Sequence, residues 1–197
     1  MKKLFLVSLL GFAPVFAATT TCTGEIYGPA ISGTLDVPVG YECRLLGGVV
    51  NGNVTVEGTL HSYSTMFNGN VTVTGGVIVI SNGNGAASAL AGNLSITGSS
   101  GNNQIGCPNS SNIIGGNISF IGNSGNLYVC QATVGKNVSV NNNIRINQDW
   151  SGMYVADLNR ITASQLVCQG NVSADGSAPI KGGGDTASQK TGQCAGL

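Results

Sequence analysis

"NGNVTVEGTLHSYSTMFNGNVTVTGG", residues 51–76, writes one short word twice. Gly52-Asn53-Val54-Thr55-Val56 returns as Gly69-Asn70-Val71-Thr72-Val73. The same word then recurs as Gly92-Asn93-Leu94-Ser95-Ile96, Gly116-Asn117-Ile118-Ser119-Phe120, Lys136-Asn137-Val138-Ser139-Val140 and Gly170-Asn171-Val172-Ser173-Ala174. Each carries apolar residues at alternate places around a Ser or Thr, the period of a β-strand with one buried face. No part of the chain beyond the first 17 residues shows a helical period.

A short strand returning about every 20 residues is the mark of a solenoid. Each coil lays its strands parallel to those of the next, about 4.8 Å away. Val54 and Val56 then stack on Val71 and Val73, and the Thr between them points outward. A single coil encloses no core, so neighbours must supply it. Between successive Asn residues the chain advances by 17, 23, 24, 20 and 34 positions. That unevenness fits a right-handed parallel β-helix with loops of variable length, and it lacks the strict six-residue rhythm of left-handed ones. Fold class is therefore all-β, with residues 18–197 forming one parallel β-helix domain.

The recurring polar residue has its own physics. Stacked at one corner, Asn53, Asn70, Asn93, Asn117, Asn137 and Asn171 can pass amide hydrogen bonds from coil to coil as a ladder. The glycine before it is expected to allow a positive φ at the bend. Every word is also an Asn-x-Ser/Thr sequon, as is Asn109-Ser110-Ser111, and the ladder accounts for the pattern without glycosylation.

Residues 1–17 read as an export signal. Lys2 and Lys3 precede an apolar run from Leu4 to Phe16, and Val15 and Ala17 provide the small-residue spacing for cleavage. The run is too short to span a bilayer, so no integral membrane segment is expected once it is removed. All six cysteines lie beyond it, an even number in an exported chain, which favours disulfides. Parallel coils bring equivalent positions within disulfide reach. Sequential pairing follows as the expectation: Cys22 with Cys43, Cys107 with Cys130 and Cys168 with Cys194.

Loss of Lys2 and Lys3 leaves six basic residues against eight acidic ones. No basic stripe is present to neutralise phosphates, which argues against nucleic acid as a partner.

The head, "CTGEIYGPAISGTLDVPVGYECRLLGGVVNGNVTV", and the tail, "LVCQGNVSADGSAPIKGGGDTASQKTGQCAGL", resemble a widespread group of bacterial secreted repeat proteins without an assigned activity. Members open on Cys-Thr-Gly, run through Gly-Asn-Val-x-Val units and close on Gly-Gln-Cys. The likeness covers essentially the whole mature chain and implies a right-handed parallel β-helix fold. It carries over no catalytic residues. Cys107, Cys130 and the 34-residue gap depart from its pattern.

Catalytic signatures are sparse. No Gly-x-Ser-x-Gly, phosphate-cradling loop or Asp-bearing Ca²⁺ repeat is present, and the eight acidic residues do not recur at coil spacing in the central repeats. No cofactor or metal is expected. His61, the only histidine, reads as a loop residue without a carboxylate in its own segment. One stretch breaks the rhythm: residues 143–165, with Arg145, Asp149, Trp150, Tyr154, Asp157 and Arg160. An aromatic and charged excursion from an Asn/Ser/Gly solenoid is the candidate ligand-contact loop. The same stretch also reads as local packing of the solenoid flank.

These readings point to an exported, non-catalytic structural or binding module, with glycans or cell-envelope components as the expected partners. Two alternatives remain. One is a lyase or glycosidase, for which Arg145, Asp149, Asp157 and Arg160 are the only local site. The other is a scaffold that self-associates end to end through its terminal coils.

Overall fold

The computed structural model describes residues 18–81, 87–106, 112–145, 155–173 and 178–197. The export signal therefore lies outside the described residues. Strands account for the regular structure, all of their pairings are parallel, and the described residues include no helix. The protein is a parallel β-helix with three walls.

The first wall carries the repeated words: Thr34–Val37, Val54–Val56, Val71–Thr74, Leu94–Thr97, Ile118–Ile121 and Asn137–Asn141 follow one another in register. The second wall is an eight-stranded sheet, one strand per coil, running Glu25–Tyr27, Glu42–Leu46, Thr59–Tyr63, Val77–Ser81, Asn102–Gly106, Asn126–Cys130, Ala156–Asn159 and Ile180–Gly183. Short strands such as Val49–Val50, Met66–Phe67 and Ala89–Leu90 make the third. The first and third walls join near the C-terminus. Thr162–Gln169 pairs through Thr162 with Thr133 on the third wall and through Gln165 to Gln169 with Asn137 to Asn141 on the first.

Val54 stands directly beside Val71, and Val71 beside Leu94, as the repeated word requires. Inward rows fill the interior: Leu35, Val54, Val71, Leu94, Ile118, Val138 and Leu166 form one of them, and each is fully or almost fully buried. Phe67 and Phe120 are the largest buried side chains. The Ser and Thr residues between them face out, so alternate burial follows the sequence pattern.

The glycine of the word has a different cause from the expected one at four of its five places, while Gly170 adopts the expected positive φ, 63°. Gly52, Gly69, Gly92 and Gly116 do not adopt positive φ. Instead, a Cβ on Gly69 would lie 2.4 Å from the carbonyl oxygen of Gly52, and one on Gly92 would lie 2.4 Å from that of Gly69. Each glycine sits on the backbone of the coil before it. Close approach, rather than backbone freedom, excludes a side chain.

The asparagine ladder forms over five of its six expected members. Asn53 Oδ1 accepts from the Asn70 amide N–H at 3.0 Å, and Asn70 Oδ1 accepts from the Asn93 backbone and side-chain N–H groups. Asn93 repeats this with Asn117, and Asn117 Oδ1 accepts from the Asn137 N–H at 3.2 Å. Asn171 is the correction. Asn137 pairs with Gln165, so the next first-wall strand reads Gln165-Leu166-Val167-Cys168-Gln169 rather than the sixth word. That word lies one corner later, where Val172 and Ser173 pair with Ile144 and Arg145. The long final interval counts from one corner to another.

Asn171 belongs to a second ladder, buried where the first had been exposed. Asn123 donates through N and Nδ2 to Asn143 Oδ1, Asn143 does the same to Asn171 Oδ1, and Asn171 to Gln193 Oε1. Its polarity is reversed, because here the earlier coil donates to the later. Gln193 Nε2 returns a bond to the Asn171 carbonyl at 2.8 Å, closing the ladder. Asp185 takes a similar corner place, its Oδ1 accepting from the Ile161 N–H at 2.7 Å. Burial pushes its carboxyl above the usual aspartate range, partly offset by that bond and by Lys190.

Cys22 is bonded to Cys43, with Cα atoms 5.4 Å apart, and Cys168 to Cys194, at 5.3 Å. The first bridge ties the first coil to the second, and the second ties the tail to the last full turn. Cys130 is disulfide-bonded. Its expected partner, Cys107, lies outside the described residues.

The two ladders differ in burial, and so should their mutants. Asn143→Ala leaves the buried Asn123 N–H without its acceptor and removes the bond to the Phe120 carbonyl, and should cost about 3 kcal/mol. Asn93→Ala, where water can replace the lost bonds, should cost about 1 kcal/mol. Urea unfolding of both variants checks this, and an equal or larger loss for Asn93→Ala would contradict it.

Candidate functional site

The three walls face solvent with different chemistry. Outward positions of the first are mainly hydroxyls, such as Thr55, Thr72, Ser95, Ser119 and Ser139. Those of the third are largely apolar, with Met66 and Ile113 both about half exposed. The second wall gathers charge and aromatic rings. Its central outward row reads Glu25, Arg44, His61, Val79, Gln104, Tyr128, Asp157 and Lys181, each beside the next on successive coils. Tyr27, Tyr63 and Tyr128 stand on this wall, and Tyr41 at its edge; these are all the tyrosines among the described residues.

At the N-terminal end these side chains hold one another. Arg44 Nε donates to Glu42 Oε1 at 2.6 Å, and its Nη1 lies 3.6 Å from Glu25 Oε1. The Tyr27 hydroxyl donates to Glu25 Oε2 at 2.8 Å. His61 Nε2 lies 3.7 Å from Glu42, and its ring is nearly parallel to that of Tyr63, with centroids 6.4 Å apart. Exposed pairs of this kind add little stability. Their effect is to fix direction: carboxylate oxygens, a guanidinium and ring faces point out from a stiff sheet.

The Arg44 hydrogen bond holds the Glu42 carboxyl below the usual glutamate range, assisted by the charges of Arg44 and His61 and opposed by desolvation. The bond to Glu25 pushes the Tyr27 hydroxyl above the usual tyrosine range, and the Glu25 charge adds to this.

Beside the patch the surface is hollowed. A hollow of about 350 Å³ is lined by Tyr41 and Glu42 on one coil, Glu57 and Thr59 on the next, and Gly76 and Val77 on the third. Corner geometry makes it. The chain crosses between the walls through four residues, 38–41, on one coil, but only through 57–58 and 75–76 on the two that follow. The longer corner packs through Pro38 and Tyr41 on Gly58, whose own carbonyl packs on Gly76, and the glycines add no side chain to the hollow. A second hollow of about 270 Å³ lies between Gly24, Glu25, Glu42 and Arg44, sharing Glu42 with the first.

This is not where the sequence had placed the site. Asp149, Trp150 and Tyr154 lie outside the described residues. Arg145 is only 4 % exposed and its strand pairs with Ser173, which removes it from the surface. Asp157 is half-buried on the second wall and accepts a short hydrogen bond from Asn159 Nδ2. Arg160 is exposed at the following turn, with φ of 54°. His61, expected in a loop without a carboxylate, sits inside the strand Thr59–Tyr63 with Glu42 of the preceding coil beside it. The missed signal was period two in the head: Glu25-x-Tyr27, Glu42-x-Arg44 and His61-x-Tyr63 put polar and aromatic side chains on one outward face.

Among the described residues no helix is long and apolar enough to cross a membrane, and no three His, Cys, Asp or Glu side chains gather as a metal-holding group. Comparison with protein-family models, curated proteins and solved structures gives no match.

The hydrogen bond from Arg44 should be measurable in solution. Titration followed by NMR should place the Glu42 carboxyl below the usual glutamate range, and Arg44→Ala should return it upward. An unchanged Glu42 titration in that variant would contradict the geometry.

Proposed function

We propose that the chain is an exported, non-catalytic binding module of the cell surface or extracellular space, and that the N-terminal part of its second wall recognises glycans. The observation that carries this reading is the gathering of outward aromatic and hydrogen-bonding side chains on one rigid wall, beside shared hollows. Carboxylates and a guanidinium serve sugar hydroxyls as acceptors and donors, and tyrosine faces offer an apolar surface to the C–H side of a pyranose. Sites of this mixture, apolar faces with a few placed polar groups, suit small polar ligands.

Export rests on the composition of residues 1–17 and on disulfides, which persist in oxidising compartments. The head and tail motifs of the secreted repeat group favour the same placement. A binding role fits Glu42 better than catalysis does. Its Oε1 is engaged by Arg44 Nε at 2.6 Å and lies 3.7 Å from His61 Nε2, which fixes it on the wall as a hydrogen-bond acceptor.

Mature protein should bind a subset of polysaccharides on a glycan array, and a Glu42→Ala/Tyr63→Ala double variant should bind those at least about tenfold more weakly while melting at a similar temperature. Release of shortened or unsaturated sugars from a bound polysaccharide, abolished in that variant, would overturn the non-catalytic reading in favour of an enzyme. Full retention of binding by the variant would move the site elsewhere.

A further inference from the structure

We infer that the ligand of this wall is a linear, uncharged glycan lying along the solenoid axis, with successive sugars meeting successive coils; the inference rests on the glycan reading above. Three observations converge on it. Both hollows are lined by Glu42, and taken as adjoining halves of a depression they span the first four coils, from Gly24 and Glu25 to Gly76 and Val77. Its long direction is therefore across the strands. The wall's outward side chains also align in that direction, Glu25 beside Arg44 and Arg44 beside His61, because parallel pairing superposes equivalent positions. Finally, one coil rises about 4.8 Å, close to the length one pyranose adds to an extended chain. A polymer with that repeat meets a fresh set of side chains at each sugar without changing its own geometry.

Charge selects among such polymers. Glu25, Glu42 and Glu57 border the depression, and Arg44 is the only strong base among its lining residues. Arg44 is already engaged by Glu42 and lies near Glu25. The depression is net acidic, which disfavours uronate or sulfated chains by like-charge repulsion and leaves carboxylate oxygens for hydroxyl donors. The depression runs from Glu25, on the first coil, to Val77, on the fourth, and Tyr27, 73 % exposed, borders the first end through its hydrogen bond to Glu25.

Calorimetric titration of the mature protein with neutral linear oligosaccharides, from disaccharide to hexasaccharide, tests this, drawn from whichever polysaccharide the array identifies and beside a uronic-acid series of the same lengths. Affinity should climb with each sugar up to about the tetrasaccharide, reaching at least about tenfold over the disaccharide. Tyr27→Ala and Val77→Lys, at opposite ends, should each remove most of that gain while leaving the melting temperature nearly unchanged. Equal affinity for di- and tetrasaccharide, or end variants that keep the full gain, would overturn the axial placement and leave the glycan reading standing. Tighter binding of the uronic-acid series would overturn the uncharged class. Failure of every glycan to bind would overturn both the reading and this inference.

Discussion

Everything in this molecule follows from the spacing of parallel backbone hydrogen bonds. Neighbouring strands lie about 4.8 Å apart, so a coil is one side chain thick. It cannot cover its own interior, and Val71 is buried only because Val54 and Leu94 lie against it on either side. The same spacing explains the word that repeats. Glycine is needed where the backbone of one coil rests on the next, and asparagine is favoured beside it because its amide both donates and accepts across that distance. The two ladders use this amide in opposite directions, the first donating toward the N-terminal coils and the second toward the C-terminal ones. The tail completes the second. In Gly192-Gln193-Cys194, the glutamine closes the ladder on Asn171 and the cysteine bonds to Cys168, so the closing motif reads as a fastening.

A stack of this kind makes three flat walls with little freedom to rearrange, and chemistry is assigned to them by outward positions alone. Apart from Asp36 and Val167 on the first and Thr133 on the third, the hydroxyl wall and the apolar wall are largely of one kind. The second wall is not: its N-terminal coils carry acids, a base, the histidine and two tyrosines that hold one another in place. Surface ion pairs contribute little to folding, and a set of them ordered beside a hollow fits a recognition role. The longer corner of residues 38–41, packed on Gly58 of the shorter corner that follows, lies beside the concavity that a flat sheet lacks.

Much of the fold was legible in the chain because its governing pattern is local and repeated. Alternation in Val54-Thr55-Val56 gives strand and face, and recurrence gives stacking. Two disulfide pairings followed from the same geometry. The assignment of Asn171 failed for a definite reason: two corners of the coil use the same Gly-Asn-apolar-Ser wording, and only the register, Asn137 beside Gln165, tells them apart. The site was harder to read. Glu42 and His61 belong to different coils, and their meeting at 3.7 Å depends on the length of the turn between them, which no motif records. Residues chosen for breaking the rhythm, such as Arg145, proved in part to serve the interior.

The central claim is that equivalent positions of the repeated words are rungs one coil apart. Double electron–electron resonance measures it directly. A spin label at Thr55 is paired in turn with one at Ser119, Ser139, Val167 or Thr191, all in one outward row. The distances should lengthen in nearly equal steps of about 4.8 Å, despite the unequal number of residues between the sites. Distances that scatter, or that fail to increase from one position to the next, would contradict the stacked register.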